Sequence, residues 1–310
     1  MKKISVVLPC HNEESNLPVL IPEIIKNIPR RYSYEIICVD DGSTDNTRSA
    51  ITLLSRRNKN IKGIVFYKNF GHQEALRAGI ERSTGDAIIT MDADFQQPPK
   101  VIADFIKYWQ TGSDLVIAKK SEDKNQSLFM KIQRILGYKI WKGVTHGLIP
   151  PGVSDFRLMS KKVKDYVLGS KETEIFLRGV VSLAAKNIKI ISYKVGKRKY
   201  GRSSYTMKMF VDMFAKGFIS FSTMPLRIAT FSGLFLLLTI TVFVIIDILT
   251  AVSTGRRIIE GYKTLAILVI GINGILMLYL GILGEYVGTI FKEVKKRPTY
   301  HIEALINIKK

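Results

Sequence analysis

The sequence predicts an α/β protein whose open, mostly parallel sheet is followed by interfacial amphipathic helices and a two-helix membrane hairpin. Three observations predict it. Residues 1–120 alternate continuous apolar runs with stretches of helical period. Polar clusters at Pro9–Glu13, Asp40–Ser43 and Asp92–Gln96 terminate three of the apolar runs. Beyond Arg227 the composition turns almost uncharged over two long stretches.

Ile4–Leu8 is a continuous apolar run, as expected of a parallel strand covered on both faces. Leu17, Leu20, Ile21, Ile24, Ile25 and Ile28 recur at helical spacing. Glu35–Val39 reads as the second strand, a helix follows from Asp45, and Ile61–Tyr67 is the third strand. Gln73–Arg82 reads as helix and Ala87–Met91 as the fourth strand. Pro98-Pro99 open a further helix, where proline is tolerated in the first turn, and Asp114–Ala118 is the fifth strand. Such alternation implies right-handed crossovers, and ligands of these sheets bind outside the carboxyl ends of the strands. Cys10 and Cys38 lie beside apparent strands and read as small core residues of a reducing compartment, not as a disulfide.

From Ser121 to Lys208 the pattern is less regular. Leu128, Ile132, Ile135, Leu136 and Ile140 mark an amphipathic helix carrying Lys131 and Arg134. Gly147–Gly152 is a loop, Asp155–Met159 a short strand, Ile175–Ala185 a helix, Ile188–Tyr193 a strand and Lys197–Tyr205 a basic loop. Met207–Met224 mixes aromatic and basic residues as an interfacial helix does. Nineteen uncharged residues then separate Arg227 from Asp247, and 21 separate Lys263 from Glu285. Each run is long enough to cross a hydrocarbon core of ~30 Å at ~1.5 Å per residue. The excess of Lys and Arg after the second run puts both ends of this hairpin in the cytosol. With no signal peptide ahead of Ile4, residues 1–205 form a cytosolic domain, 206–227 an interfacial helix, 228–290 two spans and 291–310 a basic cytosolic tail.

The formal charge of +21 invites nucleic acid, an anionic membrane or phosphorylated substrates. Its position narrows the choice. Nine bases and no acid lie between Glu174 and Asp212, directly before the hydrophobic segments, which favours a membrane- or phosphate-facing surface. A membrane-tethered nucleic-acid-binding protein would leave the three acidic or polar strand ends unexplained. Read as a strand running out into a loop, Asp92, Asp94 and Gln96 project to one side. Three oxygen donors without His or Cys suit Mg²⁺ or Mn²⁺ better than zinc. These residues describe a metal-dependent transferase acting on a nucleoside diphosphate near a membrane.

Val6–Glu13, Val39–Asp45 and Met91–Gln96 resemble, in order and spacing, the family-2 glycosyltransferases of GT-A fold. Lys68–Gly71, Ser154–Ser160, Ser220–Arg227, Leu283–Gly288 and Lys295–Pro298 narrow the resemblance to polyprenyl-phosphate glycosyltransferases. Bactoprenol glucosyltransferases and, more distantly, dolichyl-phosphate mannose synthases belong to that group. The resemblance implies that Pro9, His11, Glu13, Asp40, Asp41 and the backbone at Ala93 hold the donor, and that Asp92, Asp94 and Gln96 hold the metal. Glu13 reads equally as a carboxylate favoured by a helix N-terminus, His11 as an ordinary loop residue, and Asp40 as the cap of its own turn. Asp155 and Asp94 are the implied catalytic carboxylates, with Asp155 orienting acceptor or sugar as much as removing a proton. Lys120 and Arg198 are the implied phosphate contacts, Arg202 offers a charge in place of a missing lysine, and Arg134 on the amphipathic helix is a candidate contact for lipid phosphate. Lys120 stands where the group usually has Arg, and Gly201-Arg202-Ser203-Ser204 lacks the lysine of the group's G-x-[ST]-Lys. The implied reaction is inverting transfer of a hexose, from UDP-glucose in the first instance, to undecaprenyl phosphate at the cytosolic face of a bacterial membrane. A homo-oligomer is implied too. The Gln-x-x-Arg-Trp of processive synthases is absent.

Overall fold

The computed structural model describes residues 1–121, 154–170, 172, 177–196, 224–254 and 262–308. The chain divides into two compact units, residues 1–213 with 297–310, and residues 214–296. In the first unit eight strands form one sheet: β1 (Lys3–Cys10), β2 (Ser33–Asp40), β3 (Ile61–Phe66), β4 (Ala87–Thr90), β5 (Leu115–Lys120), β6 (Arg157–Ser160), β7 (Ile188–Tyr193) and β8 (Ile302–Ile306). Their spatial order is β7-β5-β6-β4-β1-β2-β3-β8. The helices are α1 (Leu17–Asn27), α2 (Thr47–Arg57), α3 (His72–Arg82), α4 (Val101–Gln110), α5 (Lys161–Gly169) and α6 (Leu177–Ala184).

The central strands bear out their apolar runs. Ile4, Val6, Val7 and Leu8 of β1 and Ile36, Ile37, Cys38 and Val39 of β2 are fully buried, so both faces of the sheet are covered. Leu17, Leu20, Ile21 and Ile24, the helical-period residues of α1, form part of that cover. Cys10 and Cys38 are free and buried in the core. A hydrogen bond between the two thiols and their burial push Cys10 well above the usual thiol range.

Two strands run against the parallel majority, and both matter to the site. β6 is antiparallel to β4 and β5, with Thr90 opposite Arg157. This reversal sets the residues that precede β6 beside the carboxyl end of β4. β8 is antiparallel to β3 and covers its outer edge. It arises from residues that read in sequence as a basic tail. The tail is fastened: Tyr300 stacks on Phe66 at 5.0 Å, Thr299 donates to Glu74 at 2.5 Å, and the Tyr300 hydroxyl donates to Glu81. The Asn307 amide donates to the carbonyls of Ser55 and Ile61 at 2.8 and 2.9 Å. An edge left bare would be a template for unwanted pairing.

The second unit holds two long helices, α7 (Met224–Thr254) and α8 (Tyr262–Lys295). They touch where Ser232 and Tyr279 share a hydrogen bond of 2.5 Å. Many of their apolar side chains are exposed, among them Leu234, Leu237, Leu249, Met277 and Leu278. Among the described residues one segment, Gly271–Lys295, is long and apolar enough to cross a membrane, with a mean hydropathy of 1.6. Ile228–Val242 within α7 is a shorter apolar helix. The amphipathic helix with Lys131 and Arg134, the basic loop with Arg198 and Arg202, and the interfacial helix Met207–Met224 lie mostly or wholly outside the described residues.

Candidate functional site

Three loops leave the carboxyl ends of β1, β2 and β4, and hydrogen bonds lace the first two together. The Asn12 side-chain oxygen accepts the Thr44 and Asp45 amides at 2.8 and 3.3 Å, and the Asn12 amide donates to Ser43 at 3.0 Å. The Glu13 amide donates to the Thr47 hydroxyl at 2.8 Å, while its carboxylate accepts from Asn16 at 2.5 Å, one turn ahead of α1. Glu13 thus precedes α1, whose own first turn holds no acidic residue. Pro9 lies within β1, opposite Val39. Asp40 accepts the Ser43 amide at 3.0 Å and so caps its own turn.

Asp41 reaches the next loop. Its carboxylate accepts the amides of Phe70 at 2.7 Å and Gly71 at 3.0 Å, and its carbonyl accepts from His11 Nδ1 at 2.9 Å. Burial pushes its carboxyl up, against the pull of those two amides. Gly42 makes the junction tight: its φ is +62°, and a Cβ there would lie 2.4 Å from the backbone of Lys68 and Asn69.

β4 stops at Thr90, and Phe95 adopts a φ of +64°. Residues 92–96 therefore turn, and the strand alternation that would align Asp92, Asp94 and Gln96 does not carry through. Asp94 is nearly buried and accepts the Gln96 amide at 3.0 Å. Ala93 is buried. The partner of Asp92 is Gln97, which accepts the Asp92 amide at 2.8 Å and donates to its Oδ2 at 2.5 Å. The Gln96 carbonyl accepts the Gly196 amide at 2.9 Å, and a Cβ at Gly196 would lie 2.3 Å from the Phe95 carbonyl oxygen.

Asp155 completes the group from the start of β6. It is 4% exposed. Its carboxylate accepts from Arg178 Nη2 at 2.6 Å and Nε at 3.1 Å, from Gln73 at 3.1 Å and from the fully buried Arg157 at 3.4 Å. His72 Nε2 stands 3.8 Å from Asp155 and 3.5 Å from Asp92. Burial would raise the Asp155 carboxyl, but Arg178 and Arg157 outweigh it and hold the group well below the usual carboxylate range. Burial in turn pulls the Arg157 guanidinium down to about 10, so it stays charged at neutral pH. Asp92 moves the other way. Burial raises it, with His72 opposing and Asp155 and Asp94 adding to the rise. The Tyr193 hydroxyl is pushed up to about 12 by burial and by Asp92 and Asp94.

A divalent cation fits this surrounding. Asp92 Oδ1 is buried and has no hydrogen-bond partner among the described residues, and burial with two neighbouring carboxylates, Asp155 and Asp94, raises the cost of ionising it. The donors are oxygens, as Mg²⁺ and Mn²⁺ prefer. Among the described residues no three His, Cys, Asp or Glu side chains gather closely enough to hold a metal by themselves, so an amide or ligand oxygen has to complete the shell.

The structure thus brings together Asp92, Asp94 and Asp155, and laces His11, Glu13, Asp40 and Asp41 into the neighbouring loops. Lys120 ends β5 and is exposed. Arg134, Arg198 and Arg202 lie outside the described residues. Sequence reasoning missed His72, Gln73, Gln97 and the buried role of Arg157. His72 and Gln73 directly follow Lys68–Gly71, and Gln97 follows Gln96, so proximity to a singled-out motif was the available signal.

Residues 5–167 match the family model described as glycosyl transferase family 2. The prophage bactoprenol glucosyl transferase homolog of Escherichia coli K12 is 34% identical over 302 residues, covering 97% of this chain and 98% of that protein. The bactoprenol glucosyl transferase of Shigella phage SfX is 32% identical over 303 residues, covering 97% and 99%. Among solved structures, glucosyl-3-phosphoglycerate synthase from Mycobacterium tuberculosis in complex with phosphoglyceric acid superposes with a TM-score of 0.50. It is 18% identical and covers 71% of this chain and 79% of that one. That likeness shows the fold, a GT-A-like α/β sheet.

Proposed function

The chain belongs to glycosyl transferase family 2, and we propose that it transfers a hexose, glucose from UDP-glucose, to undecaprenyl phosphate. Nearly full-length similarity to proteins named bactoprenol glucosyl transferases supports the acceptor and the sugar. In the reaction an acceptor phosphate oxygen attacks the anomeric carbon from the face opposite the diphosphate. The carbon–oxygen bond to the diphosphate breaks with inversion, and UDP leaves.

The observation that carries this reading is the state of Asp155. A carboxylate held by two guanidiniums is a weak base. A phosphate acceptor needs no strong one, because its second pKa near ~6 leaves it ionised at neutral pH. Asp155 then fixes Arg178 and Gln73 at the site and orients the groups that meet the substrate. Asp92, Asp94 and Gln96 would hold Mg²⁺ or Mn²⁺, whose charge offsets the charge developing on the departing diphosphate. The loops carrying Pro9, His11, Glu13, Asp40, Asp41 and Ala93 would surround the nucleotide. Lys120, Arg134, Arg198 and Arg202 would meet phosphates of donor or acceptor.

The lipid acceptor agrees with an integral protein of the bacterial cytoplasmic membrane, spanning it twice through α7 and α8, with the catalytic unit and both termini cytosolic and the chains assembled as a homo-oligomer. The apolar, exposed surfaces of both helices support this. Residues 1–205 with the β8 segment would be the catalytic part. The alternative is the same reaction with UDP-GlcNAc, GDP-mannose or a modified pentose donor.

The test is incubation of membranes containing the protein with undecaprenyl phosphate and a panel of radiolabelled nucleotide-sugars. We expect labelled, butanol-extractable lipid from UDP-glucose. No labelled lipid from any common donor would sink the proposal.

A further inference from the structure

Resting on that reading, we propose that the Tyr193 hydroxyl is a donor-binding group, giving a hydrogen bond to a diphosphate oxygen of the nucleotide-sugar.

Tyr193 ends β7, level with Lys120 of β5, and its carbonyl accepts the Ser121 amide at 2.7 Å. Its ring meets Phe156, the neighbour of Asp155, edge-on at 5.5 Å. Three residues later the Gly196 amide is bound to the Gln96 carbonyl at 2.9 Å. The residue is therefore pinned between the two carboxylate-bearing segments. It is 4% exposed, and its hydroxyl has no hydrogen-bond partner among the described residues.

A buried hydroxyl without a partner costs free energy that phenylalanine, with the same packing, would avoid. Such a deficiency calls for an explanation, and the neighbours supply one. Asp92 Oδ1 and Gln73 Oε1 are also buried acceptors without a hydrogen-bond partner among the described residues, with His72 Nε2 standing 3.5 Å from Asp92 Oδ1. They match a cation or the hydroxyls of a sugar. Tyr193 is a donor, and it matches the remaining part of a nucleotide-sugar, the anionic diphosphate. A phenol hydroxyl keeps its proton at neutral pH, so it can donate to an anionic oxygen.

Tyr193→Phe removes one oxygen and leaves the ring contacts intact. Two measurements on the full-length protein separate the readings. In thermal unfolding without ligand, the variant is expected to be as stable as the wild type or more so. In titrations with UDP and divalent cation, its affinity should fall about 10-fold, as for a lost hydrogen bond to a charged group, with uridine affinity unchanged. A variant less stable than wild type would mean that the hydroxyl is already satisfied in the free protein, by water for instance, and would overturn the proposal. So would UDP affinity equal to wild type. A wild-type protein that bound neither UDP nor GDP would instead strike at the proposed function itself.

Discussion

Glu35 and Asp155 are both buried carboxylates against the same sheet, Glu35 in β2 near the amino ends of the parallel strands and Asp155 beside their carboxyl ends. Glu35 accepts from Lys3 at 2.9 Å, Lys62 at 2.6 Å, Ser5 at 2.6 Å and the Thr84 amide at 2.6 Å. Burial opposes its ionisation, yet these partners bring its carboxyl down to about 2. Asp155 is held low in the same manner by arginines. The difference lies in the surroundings. Five of the eight buried side-chain atoms that lack a partner among the described residues belong to Gln73, Asp92, Arg157 and Tyr193, around Asp155. None belongs to Glu35 or to the side chains that bind it. The partners of Asp155 also open outward: Arg178 is 24% and His72 44% exposed. A cluster closed on itself holds a fold together, whereas one with unmet polar atoms and partners that reach solvent is prepared for something else to bind.

The sharpest way to break this comparison is Asp155→Asn. Turnover should fall about 100-fold or more, the scale on which a single preorganised electrostatic group acts. Folding stability should fall as well, because Arg157 loses its only carboxylate partner among the described residues. Residual activity, followed as labelled lipid between about pH 6 and 9, should rise with pH no more than in the wild type, since no base has been removed. Rescue confined to high pH would make Asp155 a base and contradict the reading.

Glu35→Gln should do the reverse. Denaturant unfolding should show a loss on the order of 3 kcal/mol, from a carboxyl at about 2 against an ordinary 4.5. The specific activity of the folded fraction should not change. Acid unfolding sharpens the same point. Because the folded-state pKa is depressed, the contribution is complete above about 4.5 and is lost as pH falls towards about 2. The Gln variant should lack that part of the pH dependence, and an unchanged acid profile would remove Glu35 from the scaffold. The smallest effect belongs to an exposed pair. Arg48 and Glu303 are 2.7 Å apart but 50% and 41% exposed, so Arg48→Gln should cost less than about 1 kcal/mol in the same assay.

Much of the fold was legible because parallel strands covered on both faces need continuous apolar runs. The strands from Ile4 to Ala118 are found within a few residues of those runs. β8 was not legible: His301–Ile306 is short and follows a basic cluster, so its pairing with β3 depends on a partner more than 200 residues away in sequence. At the site, Asp40 capping its own turn was readable, because an Asx turn is made within four residues. The clasp of Gln97 on Asp92 was not, because strand alternation extrapolated past Thr90 favours Gln96, and only the turn at Phe95 brings the next residue round.

By itself the sequence determined the α/β class, the burial of its central strands, the family and the neighbourhood of its acidic residues. Those properties are set by local periodicity and by short motifs, which survive in one dimension. Only the tertiary structure decided which partners surround each carboxylate. Asp155 is held as an anion because the antiparallel return of β6 sets it beside Arg157, Arg178 and Gln73, which come from three separate segments. Charge state in a buried site is a sum over neighbours, and neighbours are chosen by the fold.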